Sequence, residues 1–185
     1  IDMVHASYVR FDDVEHTEHR IYLMGGFARL EGMTPDGLAL TGCHEIAHGI
    51  GGPPFKDTGT TAEGQADYFA TRVCLPIVFK YLRELRPISK SETFEDHCRE
   101  QDLHDNLICL RLMTAIESDL SFFHSQGHDV SFGTHSNHIQ RELNTSASYY
   151  PDAQCRIDTM VNGVLGHRRP ICWFPRPFNT DKTLY

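Results

Sequence analysis

Two histidines four residues apart, His44 and His48, can meet at one point only if the chain between them is helical, and that pair restricts what the rest of the chain can be. On an α-helix, positions i and i+4 lie one above the other, so both imidazoles can reach one metal ion. Glu45, beside the first, stands close enough to handle a water held by that ion. The flanks agree with a helix. Thr34 can cap it, Pro35 suits its first position and Asp36 favours the positive end of its dipole, while Gly49, Gly51, Gly52, Pro53 and Pro54 end it. The spacing predicts one helix over residues 35–49, about four turns long. A catalytic zinc takes three protein ligands and keeps one position open for water, so a third donor has to come from elsewhere in the fold.

Two placements compete for it. The spacing His-Glu-x-x-His-x-x-Gly-x-x-His fits at Gly51 but puts the third ligand at Pro54, which has no donor. The alternative is a glutamate from the next helix. Thr60-Thr61-Ala62-Glu63-Gly64-Gln65-Ala66-Asp67-Tyr68-Phe69-Ala70 offers a cap followed by Glu63 and Asp67 at i, i+4. Glu63 would bind the metal and Asp67 would orient a ligand histidine, with His44 as the expected partner. Taken alone, two acids at that spacing describe an ordinary solvated helix face; on the helix after His48 they read as site residues.

His44-Glu45-Ile46-Ala47-His48 followed by Glu63-x-x-x-Asp67 resembles the gluzincin zinc peptidases, in particular the family of the heat-shock membrane peptidases, the CAAX prenyl proteases and their soluble periplasmic relatives. Gly25-Gly26 is similar to the glycine pair of that family's edge strand. Tyr150-Pro151-Asp152-Ala153-Gln154-Cys155-Arg156-Ile157 is similar to its late His-Pro-x4-Arg-Ile motif, with tyrosine in the histidine position. The resemblance covers scattered motifs between residues 21 and 157. It implies an α+β, zincin-like fold, with a small sheet beside the two site helices and a mainly helical second half. The chain departs from the family in its six cysteines and its lack of membrane spans.

A length of 185 residues suits one domain, 1–185, with a real core. A net charge of -8 with no basic cluster beyond Arg168-Arg169 argues against nucleic acid or an anionic membrane surface. No apolar run approaches the roughly 20 residues of a transmembrane helix, and a start at Ile1 without Met is compatible with a removed leader. Residues 4–11 and 19–31 read as strands, and the second, if it borders the metal, could pair with an extended peptide; a plain structural hairpin is the other reading.

A second helix is expected over 62–75, kinked or stopped at Pro76, with Ala66, Phe69, Ala70 and Val73 as its apolar stripe; a helical pattern continues over 77–85. After a cap at Ser91, a long helical pattern runs from Phe94 to Phe123. His124, His128, His135 and His138 fall in a Gly- and Ser-containing loop whose spacing matches no metal pattern, so a mobile rim over the cleft is the expectation. A short helix should begin after Pro151, and the proline-rich tail 169–178 with Trp173 should pack irregularly on the body. Six cysteines without a Cys-x2-Cys pair favour two or three disulfides in an oxidising compartment, periplasmic or secreted, with Cys43 to Cys74 preferred as a link between the site helices.

The combined expectation is a zinc-dependent metallopeptidase acting on a peptide or protein substrate. Zn2+ is held by His44, His48 and Glu63, Glu45 activates the water as general base, and Asp67 supports a ligand imidazole. Arg156 is expected to brace the acids of the second site helix. Tyr150, from its place in the family-like motif, is the expected oxyanion donor, or else it packs with Tyr149 at a turn before Pro151. A catalytically silent zinc-binding domain that holds a partner peptide is the alternative. Glu45, which is not a ligand, argues against it, since a purely structural site has no use for it.

Overall fold

The structure is a computed structural model that describes residues 2–82, 91–100 and 106–177. Its elements are strands β1 (Ala6–Asp12) and β2 (Thr17–Leu23), then helices α1 (Gly25–Ala28), α2 (Pro35–Ile50) and α3 (Glu63–Phe69). A π-helical turn at Ala70–Cys74 leads into α4 (Leu75–Tyr81), followed by α5 (Glu92–Glu100), α6 (Asn106–Ser125) and α7 (Ala153–Leu165).

Helix α2 begins where its caps put it. Thr34 is extended and its hydroxyl accepts a hydrogen bond from Gly37 N at 3.1 Å, with Pro35 in the first turn. Asp36 does more than complement the dipole, because Arg111 of α6 grips both of its oxygens at 2.7 and 2.8 Å in a buried fork. Gly37 leaves room for Ser118 of α6, whose hydroxyl accepts from Thr34 N at 2.7 Å. The entry of α2 is thus bolted to α6. Helices α3 and α6 and the π turn pack on α2, α7 packs on those three in turn, and the core holds Leu40, Leu75, Met113, Ile116, Ile157 and Met160.

The sheet is one antiparallel hairpin, with Ala6 opposite Leu23 and Asp12 opposite Thr17. The second strand is shorter than its composition suggests. It ends at Leu23, and Gly25-Gly26 opens the helical turn α1 outside the strand, at a place where another backbone comes close. A Cβ on Gly26 would stand 2.4 Å from the Met3 carbonyl oxygen. Phe27 is then buried and its ring packs 5.1 Å from that of Phe122. Both strands touch α2, but it is β1 and the residues before it, not β2, that line the cleft.

The second site helix also differs from its expected form. Thr61 does not cap it; its hydroxyl donates to Gly52 O at 3.0 Å and Ala62 stands at the N-cap without a side-chain bond. Residues 61–68 are buried all round, so no single apolar stripe exists. Pro76 neither stops nor breaks the chain. The wider π turn precedes it, a form that accommodates a residue lacking an N–H, and helix continues to Tyr81. The rest of the 77–85 pattern lies outside the described residues.

The pattern from Phe94 to Phe123 divides into α5 and α6. Cys98 and Cys109 are disulfide-bonded with Cα atoms 5.8 Å apart, whereas eleven residues of one straight helix would span about 16 Å. Helix α7 starts as expected after Pro151, with Asp152 accepting from Cys155 N at 2.9 Å. The other bridges are Cys43–Cys74, which ties α2 to the end of the π turn, and Cys155–Cys172, which ties α7 to the tail. All six cysteines are paired. The tail packs on α3, where Trp173 is buried against Gly64 and Arg169 Nε donates to Gln65 Oε1 at 2.6 Å. Among the described residues no helix is long and apolar enough to cross a membrane.

Candidate metal centre

The periodicity of α2 sets His44 and His48 on the face turned towards α3, their rings 4.8 Å apart and edge to face. Glu63, in the first turn of α3, reaches between them: Oε2 is 3.2 Å from His44 Nε2 and Oε1 is 3.6 Å from His48 Nε2. For a tetrahedral ion with bonds of 2.0–2.1 Å, neighbouring donor atoms stand about 3.3 Å apart. The three side chains therefore fit a metal ion, and among the described residues they are the group that can hold one.

Each ligand is oriented from behind. His48 Nδ1 donates to Thr61 O at 2.9 Å, which leaves Nε2 with its lone pair towards Glu63. Burial, followed by the charge of His44, pushes His48 down to about 4, so it is neutral. His44 Nδ1 lies 2.8 Å from Asp67 Oδ1, and Asp67 is fully buried. Burial pulls the His44 imidazole down, but Asp67 and Glu63 together outweigh it and bring it up to about 10. Arg156 completes the set from α7. Its Nε and one terminal nitrogen clasp Asp67 at 2.8 and 2.7 Å, and the latter lies 3.9 Å from Glu63 Oε2. Burial raises the Asp67 carboxyl, yet Arg156 and His44 more than reverse it and hold it below the usual carboxylate range.

Glu45 is buried at the cleft beside His44, and burial raises its pKa, the direction that makes a carboxylate a better proton acceptor. Tyr150 stands at the mouth, 59% exposed, with the charge of Glu63 as the chief cause of its raised pKa. Tyr149 is turned away, its hydroxyl 3.4 Å from Gln140 Oε1.

One site residue carries no motif in the sequence. An antiparallel bridge between Phe55 and Thr61 folds the segment between α2 and α3 into a loop, and it delivers Lys56 Nζ to within 2.5 Å of Glu63 Oε1 and 5.1 Å of the Tyr150 ring centre. Its only signal is isolation, as the sole lysine or arginine between Arg29 and Arg72.

The four histidines of the later loop do not assemble. His124 Nε2 is 3.1 Å from Val130 O, His135 Nδ1 is 3.3 Å from Asp158 Oδ1, and His138 Nε2 is 2.9 Å from Gln140 Oε1. The loop is tied to the outer face of α7, chiefly through Gln154 and Asp158, instead of forming a rim over the cleft. Only its ends, Gln126 and Tyr150, line the cavity.

Asp67→Asn is expected to weaken metal binding by roughly 10 to 100-fold, since the amide offers His44 a weaker acceptor and leaves Arg156 without its charge partner. Competition with a chelating dye measures it, and an unchanged affinity would reduce Asp67 to a structural partner of Arg156.

The cleft is a cavity of about 430 Å³ bordered by residues 4–8, α2, α3 and α6. Its lining includes an apolar group, Phe27, Leu40, Phe122, Phe123 and Met160. No protein-family model, curated protein or solved structure matches the chain, so its function is argued from this geometry.

Proposed function

We propose that this chain is a zinc metallopeptidase of the zincin-like class that hydrolyses peptide bonds in an oxidising compartment, periplasmic or extracellular. The observation that carries the reading is Glu45. Three donors at metal-binding separations account for His44, His48 and Glu63, but not for a fourth, buried carboxylate in the same cleft whose proton affinity is raised. Zinc bound by the three side chains would supply a Lewis acid and a coordinated water with a pKa near 7. Glu45 is the residue that would take a proton from such a water and pass it to the leaving amine. Residues 4–8 line the cleft beside these groups, which suits an extended peptide lying along that segment. Three disulfides with no free cysteine support the compartment.

Protein purified without added metal is expected to carry about one zinc per chain and to cut an unfolded protein substrate, losing activity on chelation and regaining it with zinc. Absence of the metal would sink the reading. Zinc without cleavage would leave a peptide-binding domain.

Tyr150 is the proposed oxyanion donor. Tyr150→Phe keeps the ring and removes the hydroxyl, so kcat should fall by roughly 10²-fold or more with KM, zinc content and Tm little altered. An unchanged kcat would transfer the role, with Lys56 the next cation in the cleft.

A further inference from the structure

The cleft is lined by an apolar group of side chains and, among them, a buried acid. Thr41 and Glu45 are one turn apart on the same face of α2, and Thr41 Oγ1 is 3.4 Å from Oδ1 of Asp119 on α6. Asp119 is 6% exposed and lines the same cavity as Glu45, with Phe27, Leu40, Phe122, Phe123 and Met160 around it.

Among the described residues, the hydrogen bond that reaches this carboxyl is the long one from Thr41. Thr41 has one hydroxyl proton, and its nearer acceptor is Gly37 O at 3.1 Å, so it gives Asp119 little. Arg156 also lines the cavity and its charge acts on Asp119, but its Nε and one terminal nitrogen go to Asp67. Burial accordingly pushes the Asp119 carboxyl up to about 6. A buried carboxyl held by one long hydrogen bond costs stability, and such a group in a cleft is expected where a ligand completes its partners.

We propose that this pocket is the subsite for a basic side chain of the substrate. A lysine or arginine flanking the cut bond lays its methylene stem between the phenylalanines and sets its cationic tip on Asp119. An aliphatic side chain would meet the apolar group but leave the carboxyl without a partner. An acidic one would meet the charge of Asp119, on which that of Asp67 already acts. The peptide character of the ligand rests on the metallopeptidase reading; the preference for a cation on an apolar stem does not.

Two measurements test it. In the first, the zinc-loaded chain digests a peptide mixture and the cut sites are read by mass spectrometry. Lysine or arginine is expected to be enriched by roughly tenfold or more on one side of the cut, and Asp119→Asn is expected to erase that enrichment. In the second, n-butylguanidine and pentanoate are titrated into the wild-type chain and Asp119→Asn by calorimetry. The guanidine is expected to bind the wild type at least roughly tenfold more tightly than the acid, with the gap closed in the variant. Equal binding of the two probes by the wild type overturns the subsite even if the variant fails to fold. So does a gap that survives Asp119→Asn, or enrichment of acidic residues at the cut. Guanidine binding without any cleavage would keep the subsite and remove the peptidase, whereas cleavage with neither preference nor binding would do the reverse.

Discussion

Glu45→Gln is expected to lower peptide hydrolysis by about 10²- to 10⁴-fold while leaving about one zinc per chain, whereas Glu63→Ala is expected to lose the metal and activity together. The two carboxylates are neighbours in one cleft, yet they do different work. Glu63 stands between the rings of His44 and His48 at donor separations that suit coordination, so removing it leaves two ligands where a catalytic zinc takes three. The loss should therefore exceed the roughly 10 to 100-fold expected for a supporting residue such as Asp67. Glu45 is outside the set that meets the metal, and glutamine keeps its shape and burial while removing its capacity to take a proton. Metal analysis and a cleavage assay on the same preparations separate the roles. Full zinc occupancy in the Glu63 variant would show that another group is the third ligand, and full activity in the Glu45 variant would remove the general base.

Arg156→Met is expected to lower stability by roughly 3 to 5 kcal/mol, because it leaves the fully buried Asp67 without its clasping cation. For a chain of this size that is a Tm lower by about 10 °C. The same change should weaken zinc binding, since Asp67 orients His44 and Arg156 also lies 3.9 Å from Glu63. Arg111→Met provides the comparison. Arg111 holds Asp36 as tightly, at 2.7 and 2.8 Å and also largely out of solvent, but at the far end of α2 from His48. Its loss should cost a similar amount of stability and leave zinc affinity unchanged. If both variants weaken zinc alike, Arg156 acts only through the general integrity of the fold.

The features legible in the sequence are those set within a few turns of chain. Thr34, Pro35 and the glycines after His48 mark out α2, the i, i+4 spacings put His44 over His48 and Glu63 beside Asp67, and Pro151 with Asp152 starts α7. These depend on caps and on the helical period, which neighbours along the chain supply. What residue types alone suggested was less secure: residues 19–31 have the composition of a strand, but β2 ends at Leu23, and Gly25-Gly26 lies in a helical turn where the backbone of Met3 comes close.

The tertiary structure decided everything whose partners are distant in sequence. Arg156 meets Asp67 across 89 positions, Asp119 meets Thr41 across 78, and the later loop is anchored on α7 instead of over the cleft. Lys56 shows the same limit at short range, since only the fold of its loop turns it onto Glu63. Local sequence thus set which groups share a face of a helix. Long-range packing set which of them are buried, paired or left with a carboxyl unsatisfied, because burial and charge pairing depend on surfaces that no single stretch of chain possesses.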